Sequence, residues 1–221
     1  MSRPALRERW ECLRRSGRRE RQRGQGLVEF SLAVPVVILV VVSVAELGLA
    51  FGNTHTLGYG SREGARVGSA LAAGDAFDCT TGPDPAGVDK TLVSAIQRIL
   101  KSPGSGIDIS KVEEIRIFKA TASGGEDGAN VNVWKYVGEG NGPEVDPGPG
   151  AIYIDFAQHG GTGWAACGRV NDSTAPDSIG VTVKYRYDFV TPLPQMLASL
   201  SGGALSLGLT ETTVMALNPS V

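Results

Sequence analysis

The sequence predicts an α+β protein, with one long N-terminal helix followed by a small domain that contains an antiparallel sheet. Residues 30–45 contain no charged residue, which indicates a long apolar helix. Small residues at intervals of four continue this helix, and segments of alternating residues follow in the second half of the chain. The 221 residues suffice for one ordinary domain and an appendage.

The basic residues are concentrated before the apolar run. Residues 1–24 carry nine arginines and three acidic residues, a formal charge of +6, whereas residues 25–221 carry −8. A basic arm can bind nucleic acid, but the uncharged run behind it favours a membrane and no nucleic-acid partner. Because arginines beside a span stay in the cytoplasm, we expect a single-pass protein of the cell membrane. Its N-terminus is then cytoplasmic and its C-terminal domain extracytoplasmic.

The predicted membrane segment comprises residues 27–51, in which Glu29 and Glu46 are the only charged residues. A bilayer core of about 30 Å requires roughly 20 helical residues, so both acids lie toward the ends of the span. Pro35 removes a backbone donor inside the span and predicts a bend there. Three roles remain open for the segment: a cleaved secretory signal, a permanent anchor, or a leader that is cut on the cytoplasmic side.

Three short motifs follow one another between residues 24 and 73. They are Leu27-Val28-Glu29-Phe30 with Pro35 following, Ala45-Glu46-Leu47-Gly48, and Arg62-Glu63-Gly64-Ala65-Arg66. In this combination they resemble the TadE-like family of minor pilins, or pseudopilins, of tight-adherence pili. The resemblance implies an envelope protein that takes part in pilus assembly, adhesion or secretion. Its partners would be other pilin or pseudopilin subunits and the pilus assembly platform.

The resemblance also implies roles for individual residues. A prepilin peptidase would cut between Gly24 and Gln25, which places Glu29 at the fifth position of the mature chain. Glu29 would then pair with the terminal amine of a neighbouring subunit, and Pro35 and Glu46 would also serve assembly. A simpler explanation is that a carboxylate in the first helical turn favours the positive end of the helix dipole, by some tenths of a kcal/mol.

A stripe of small residues continues the helix beyond the span. Its glycines recur at multiples of four residues, at Gly48, Gly52, Gly60, Gly64 and Gly68. Such positions lie close to one face of a helix, and small residues there allow another backbone to approach. We therefore expect one helix over residues 27–73 that packs against a crossing partner. The alternative is a partly unwound stretch, because each glycine costs about 1 kcal/mol relative to alanine.

The sequence divides into a basic cytoplasmic leader, a transmembrane helix with its extension, and an extracytoplasmic domain, at residues 1–24, 25–74 and 75–221. In the last part, apolar residues at helical spacing predict a short helix at residues 89–101. Alternating residues predict strands at 114–119, 130–137, 151–156, 180–190 and 209–216. A domain of this kind on a long N-terminal helix has the pilin-like plan that the resemblance implies.

Two cysteines, Cys79 and Cys167, lie outside the cytoplasmic leader, which contains Cys12. An oxidising compartment allows these two to form a disulfide. The bond would close a loop of about ninety residues and stabilise the fold by about 4 kcal/mol in the chain-entropy model. Two separate thiols are the alternative.

We expect no enzyme activity, cofactor or metal site. His159 is the one histidine of the outer domain, and no nucleophile or acid–base partner accompanies it in a recognisable arrangement. The acidic segment 138–150 lacks the spacing of known Ca²⁺ loops and is expected to be a surface loop. The alternative to a pilus role is therefore an anchored binding module, whose outer domain recognises a wall polymer or a surface partner while the helix tethers it.

Overall fold

A computed structural model describes residues 4–71, 86–146, 151–172, 174–191 and 206–217. For residues 4–23 the description covers the backbone alone. The chain divides into two compact units, an N-terminal unit (Met1–Leu47) and a C-terminal unit (Gly48–Val221).

The first helix, α1, comprises Pro4–Leu71. It begins earlier than the predicted residue 27, because the leader is rich in arginine and contains three glutamates, and both residue types favour a helix. Pro4 is tolerated in the first turn, where its missing N–H has no intrahelical acceptor. Pro35 lies inside α1, and the bend expected there stays a prediction. The glycines do not unwind the helix, so the partly unwound alternative was wrong.

In the N-terminal unit, α1 exposes large apolar side chains from residue 24 onward. Leu27, Phe30 and Leu32 are each 70% exposed. Apolar surface of this extent is unusual on a protein in water, and it suits a lipid environment. By length and composition α1 can therefore span a membrane.

The second helix and the strands belong to the C-terminal unit. They are α2 (Ala86–Leu100), β1 (Val112–Ala120), β2 (Glu126–Tyr136), β3 (Glu144–Asp146), β4 (Ile152–Tyr153), β5 (Phe156–Gln158), β6 (Ser178–Asp188) and β7 (Ser206–Ala216). Five strands form one sheet in the order β5-β2-β1-β6-β7, and β3 and β4 form a second, two-stranded sheet. Every pairing is antiparallel. The predicted α+β class is confirmed.

The predicted strand at residues 151–156 was wrong, because the chain turns at Asp155 and forms two short strands in different sheets. The backbone N–H of Asp155 donates to Gln97 Oε1 of α2 at 2.8 Å instead of to a strand. Its carboxylate Oδ2 lies 2.8 Å from Lys101 Nζ, and this pairing raises the pKa of Lys101. The segment 138–150, expected to be a loop, contains β3, which pairs with β4.

The core of the C-terminal unit lies between one face of the five-stranded sheet and two helices. Its buried residues come from α1, α2 and the central strands, and include Leu57, Ala65, Leu92, Ile96, Ile117, Trp134, Val181 and Tyr185. The alternation of β6 directs Val181, Val183 and Tyr185 to this core, as the sequence predicts. A smaller cluster of Phe118, Val131 and Val133 is buried on the opposite face.

Candidate membrane and assembly segment

The predicted cleavage point, between Gly24 and Gln25, lies within α1 and is exposed. Gln25 Nε2 donates a hydrogen bond to Glu29 Oε1 at 3.0 Å, one helical turn further along. In the intact chain the Glu29 carboxylate therefore has a polar neighbour on its own helix. This contact follows from the spacing of four residues, which brings side chains together on a helix surface.

The two acids of the apolar run differ in their surroundings. Glu29 is exposed, whereas Glu46 is only 4% exposed. Pro35 lies between them in α1. Glu29 is therefore accessible to a group outside the chain.

Three glycines of the predicted stripe pack against α2 of the same chain. A Cβ on Gly64 would lie 2.7 Å from Ile96 Cδ1, and a Cβ on Gly68 would lie 2.7 Å from Leu92 Cδ1. A Cβ on Gly60 would approach Ile96 Cγ2 to 3.6 Å. The stripe thus brings α1 close to α2 at these three positions, and at Gly68 equally close to Ile179 of β6. The crossing geometry stays a prediction.

The other two glycines have open space beside them. No described atom lies within 4 Å of the positions that a Cβ would occupy on Gly48 and Gly52. The stripe is therefore divided into a part that faces α2 and a part that no described residue covers.

This division predicts different outcomes for the same substitution. Gly64→Leu should destabilise the C-terminal unit by about 1–3 kcal/mol, because the new side chain must displace Ile96. The matched control, Gly52→Leu, should leave stability unchanged or raise it by up to about 1 kcal/mol through helix propensity. Thermal unfolding of the detergent-solubilised full-length variants measures both effects, and equal melting temperatures would contradict this packing.

The motif of residues 62–66 presents two faces. Gly64 and Ala65 are buried, whereas Arg62 and Arg66 are exposed. Arg66 Nη2 lies 2.7 Å from Glu63 Oε1, and Arg98 Nη2 of α2 lies 3.9 Å from the same oxygen. Exposed ion pairs of this kind contribute about 0–1 kcal/mol, so the motif combines core packing with a solvated charged face.

Two polar contacts join α1 to other parts of the C-terminal unit. The hydroxyl oxygens of Ser61 and Thr213, on α1 and β7, are 2.9 Å apart. Thr56 Oγ1 donates to the backbone oxygen of Ser105, in the turn after α2, at 3.2 Å. Residues 48–71 of α1 are thus held by both hydrogen bonds and apolar packing.

An open cleft of about 520 Å³ lies between α1 and the turn after α2. Tyr59 and Arg62 line it from α1, and Ile99 and Pro103 line it from the other side. The described residues that line it include neither histidine nor cysteine. The cleft offers mainly an apolar packing surface.

A buried charge cluster joins α2 to β2 and to the segment before β6. Arg169 Nη2 lies 2.7 Å from Asp89 Oδ1, and the two side chains are 0% and 4% exposed. Asn132 Nδ2 donates to Asp89 Oδ2 at 2.7 Å, and Asn132 Oδ1 accepts the backbone N–H of Trp164 at 2.8 Å. The cluster therefore connects residues that are far apart in the sequence.

Arg169 also contacts an aromatic ring, and two of its nitrogen atoms form no hydrogen bond with the described residues. Its guanidinium carbon lies 4.5 Å from the centroid of the Trp164 ring, a cation–π arrangement. Its Nε and Nη1 atoms are buried and form no hydrogen bond with the described part of the chain. No local pattern predicts this cluster, because Asp89, Asn132 and Arg169 occur singly in three different segments.

The structure brings together no set of metal ligands that the sequence would have missed. Within the described ranges, no group of three or more histidine, cysteine, aspartate and glutamate side chains could hold a metal ion. His159 is exposed. The expectation that the protein is not an enzyme stays a prediction.

Of the two cysteines predicted to form a disulfide, Cys79 lies outside the described residues. Cys167 lies in a single 3₁₀ turn, Ala166–Gly168, two residues before Arg169. The disulfide between them therefore stays a prediction.

We expect non-reducing peptide mapping of protein isolated without reductant to show Cys79 linked to Cys167. Cys12 should react with an alkylating reagent in the same sample, because the predicted topology places it in the reducing cytoplasm. Alkylation of both Cys79 and Cys167 would show two separate thiols instead.

The family model described as TadE-like protein matches residues 24–66. Comparison with curated proteins and with solved structures gives no match. The matched segment covers about a fifth of the chain and includes the three motifs on which the resemblance rests. It begins at Gly24, immediately before the predicted cut, and it ends at Arg66, within α1. The resemblance is confirmed for residues 24–66, which are similar to this family and are called the TadE-like segment below.

Proposed function

We propose that this protein is a membrane-anchored minor pilin-like component of a tight-adherence pilus. The family match indicates a protein associated with such pili. The observation that carries the proposal is that the TadE-like segment contains two parts of α1. The first part exposes large apolar side chains, and the second packs in the core beneath the sheet. One segment thereby combines a lipid-compatible surface with an attachment to a folded domain.

The proposed orientation places the leader in the cytoplasm and the sheet outside the cell membrane. The nine arginines of residues 1–24 support this orientation. A prepilin peptidase on the cytoplasmic side would then have access to the bond between Gly24 and Gln25. Both residues are exposed in the structure.

Cleavage at this bond would create a positively charged terminal amine that can pair with the Glu29 carboxylate. The new α-amine of Gln25 carries a positive charge at neutral pH, whereas the Gln25 side chain that bonds Glu29 in the intact chain is neutral. A hydrogen bond between two charged groups is roughly twice as strong as a neutral one. The amine of a neighbouring subunit can therefore displace the Gln25 amide and join two helices in the membrane.

The test is purification of the full-length protein from detergent-solubilised membranes, followed by identification of the proteins that accompany it. Pilin subunits and pilus assembly-platform proteins are expected. Recovery of wall polymer or of an unrelated surface protein, without any pilus component, would instead support the anchored binding module and contradict the proposal.

The position of the cut can be tested separately. Mass spectrometry of the mature protein should find Gln25 as the first residue, and Gly24→Leu should retain the full-length form, because the peptidase requires a small residue before the cut. Gly26→Leu is the matched control, since Gly26 also has open space around it and lies beyond the cut. A wild-type protein that starts at Met1 or Ser2 would remove the cleavage step and leave the anchor.

A further inference from the structure

We propose that β7 is a docking edge for an extended segment of a partner protein, which adds a strand to the five-stranded sheet and directs an acidic side chain toward Arg186. This inference goes beyond the pilus role and does not depend on it. It rests on the hydrogen bonds of the edge, on the composition of β7 and on the charges beside it.

Among the described residues, β7 is an end strand whose outward backbone groups have no hydrogen-bond partner. Its 11 residues, Ser206–Ala216, all pair with β6 in one uninterrupted register. On its other side, no backbone group in the described part of the chain bonds to it. Alternate residues of an end strand direct their N–H and C=O groups away from the sheet, so about five residues of β7 can bond a further strand.

β7 has only one of the features that usually protect an end strand from pairing. Protected edges are short, contain a bulge, carry lysine or proline, or direct a charged side chain inward. The opposite edge of this sheet, β5, has only three residues. β7 reads SLGLTETTVMA, without lysine, proline or a shift in register. Its one charged residue, Glu211, lies on the helix-facing side, where Oε2 is 3.8 Å from the Cβ position of Gly58.

The side of the sheet that faces away from the helices presents a cation beside this edge. Arg186 of β6 pairs with Gly208 of β7, which has no side chain. No described atom lies within 4 Å of the Cβ position of Gly208. The space between Arg186 and a strand added beside Gly208 is therefore open.

Arg186 is only loosely paired within its own chain. Its side chain is 54% exposed, and Nε lies 3.8 Å from Asp188 Oδ1. The other oxygen of Asp188 lies 3.0 Å from Lys111 Nζ. The neighbouring cation, Lys184, differs because Nζ lies 2.7 Å from Glu114 Oε1. Arg186 is thus the cation that an acidic side chain on an added strand would meet.

A second copy of this chain fits the edge less well than a different protein. Antiparallel pairing of two β7 strands about their common centre would place Glu211 opposite Glu211, and like charges there are destabilising. The side of β7 that faces Arg186 carries no acid, since its residues are Ser206, Gly208, Thr210, Thr212, Val214 and Ala216. The occupant we infer is an extended segment of β-branched residues whose one charged residue is acidic.

Two synthetic peptides test this inference. They alternate threonine and valine over nine residues, Thr-Val-Thr-Val-Xaa-Val-Thr-Val-Thr, and differ only at the central residue, which is aspartate or lysine. Fluorescence anisotropy with the detergent-solubilised full-length protein should show at least tenfold tighter binding of the aspartate peptide. Hydrogen exchange should show new protection in residues 206–216 and none in β5.

Arg186→Gln should bind both peptides equally, and the matched control, Arg98→Gln on α2, should retain the preference for aspartate. Arg186 is exposed, so the variant should melt at the wild-type temperature. The inference is overturned if neither peptide binds, if the wild type binds both equally, or if Arg186→Gln keeps the preference. Self-association of the protein that the peptide displaces would identify a second copy as the occupant and would also overturn it.

Discussion

Arg169→Leu should destabilise the C-terminal unit by about 3–5 kcal/mol, because it leaves the buried Asp89 carboxylate without its cation. Asp89 would keep the amide of Asn132, at 2.7 Å, as a polar partner among the described residues. Urea unfolding of the detergent-solubilised full-length protein, followed by tryptophan fluorescence, measures the change. Trp164 is a suitable reporter because its ring lies against Arg169.

The double variant Asp89→Leu/Arg169→Leu distinguishes a buried pair from simple loss of packing. Since it leaves neither charge unpaired, it should recover most of the stability that the single variant loses. The matched control is Arg66→Leu, which removes the exposed partner of Glu63 and should cost no more than about 1 kcal/mol. A single variant at Arg169 that is as stable as this control would contradict the buried pair.

Glu29→Gln should reduce pilus assembly at least tenfold while leaving the protein inserted in the membrane. If Glu29 pairs with a neighbour's terminal amine, its removal leaves that amine uncompensated in a low dielectric, a loss of about 3–5 kcal/mol. Each 1.4 kcal/mol is about a factor of ten in an association constant, so we expect at least a tenfold loss of surface pili. Insertion should persist, because neutralising an acid makes the span more apolar.

The measurement combines protease protection, which reports topology, with counts of surface pili and recovery of partner pilins. Glu63→Gln is the matched control, since it makes the same change at the exposed pair with Arg66. A helix-dipole role, with the hydrogen bond from Gln25, predicts a loss of only some tenths of a kcal/mol. Unchanged assembly in a correctly inserted Glu29→Gln protein would therefore favour the anchored binding module.

The elements that the sequence predicts well are those whose side chains follow a period. The alternation of β6 and the helical spacing of α2 each reflect one buried face, and both elements lie within three residues of the predicted bounds. β3 and β4 are too short for a period to show, and β5 is separated from β4 by the turn at Asp155. The early start of α1 follows from the helix propensity of the leader residues, which the apolar run behind them does not reveal.

In the candidate site, too, the sequence predicts features that lie within one segment better than contacts between segments that are far apart in the chain. The position of Glu29 in the apolar run is a local property, and the family match covers it. The spacing of Gly60, Gly64 and Gly68 predicts a close approach but contains no information about which helix approaches. The cluster around Arg169 depends on three segments that meet only in the folded chain.

The packing of α1 against α2 also determines how much of α1 the C-terminal unit requires. A truncated protein that begins at residue 75 would lack Leu57 and Ala65, both of which are fully buried in the core. Leu92 and Ile96 would then lose the surface of α1 and be exposed to water. We therefore expect such a fragment to aggregate, whereas one that begins at Gly48 retains a complete core. Residues 48–66 of the TadE-like segment thus act as a part of the domain's own folding unit.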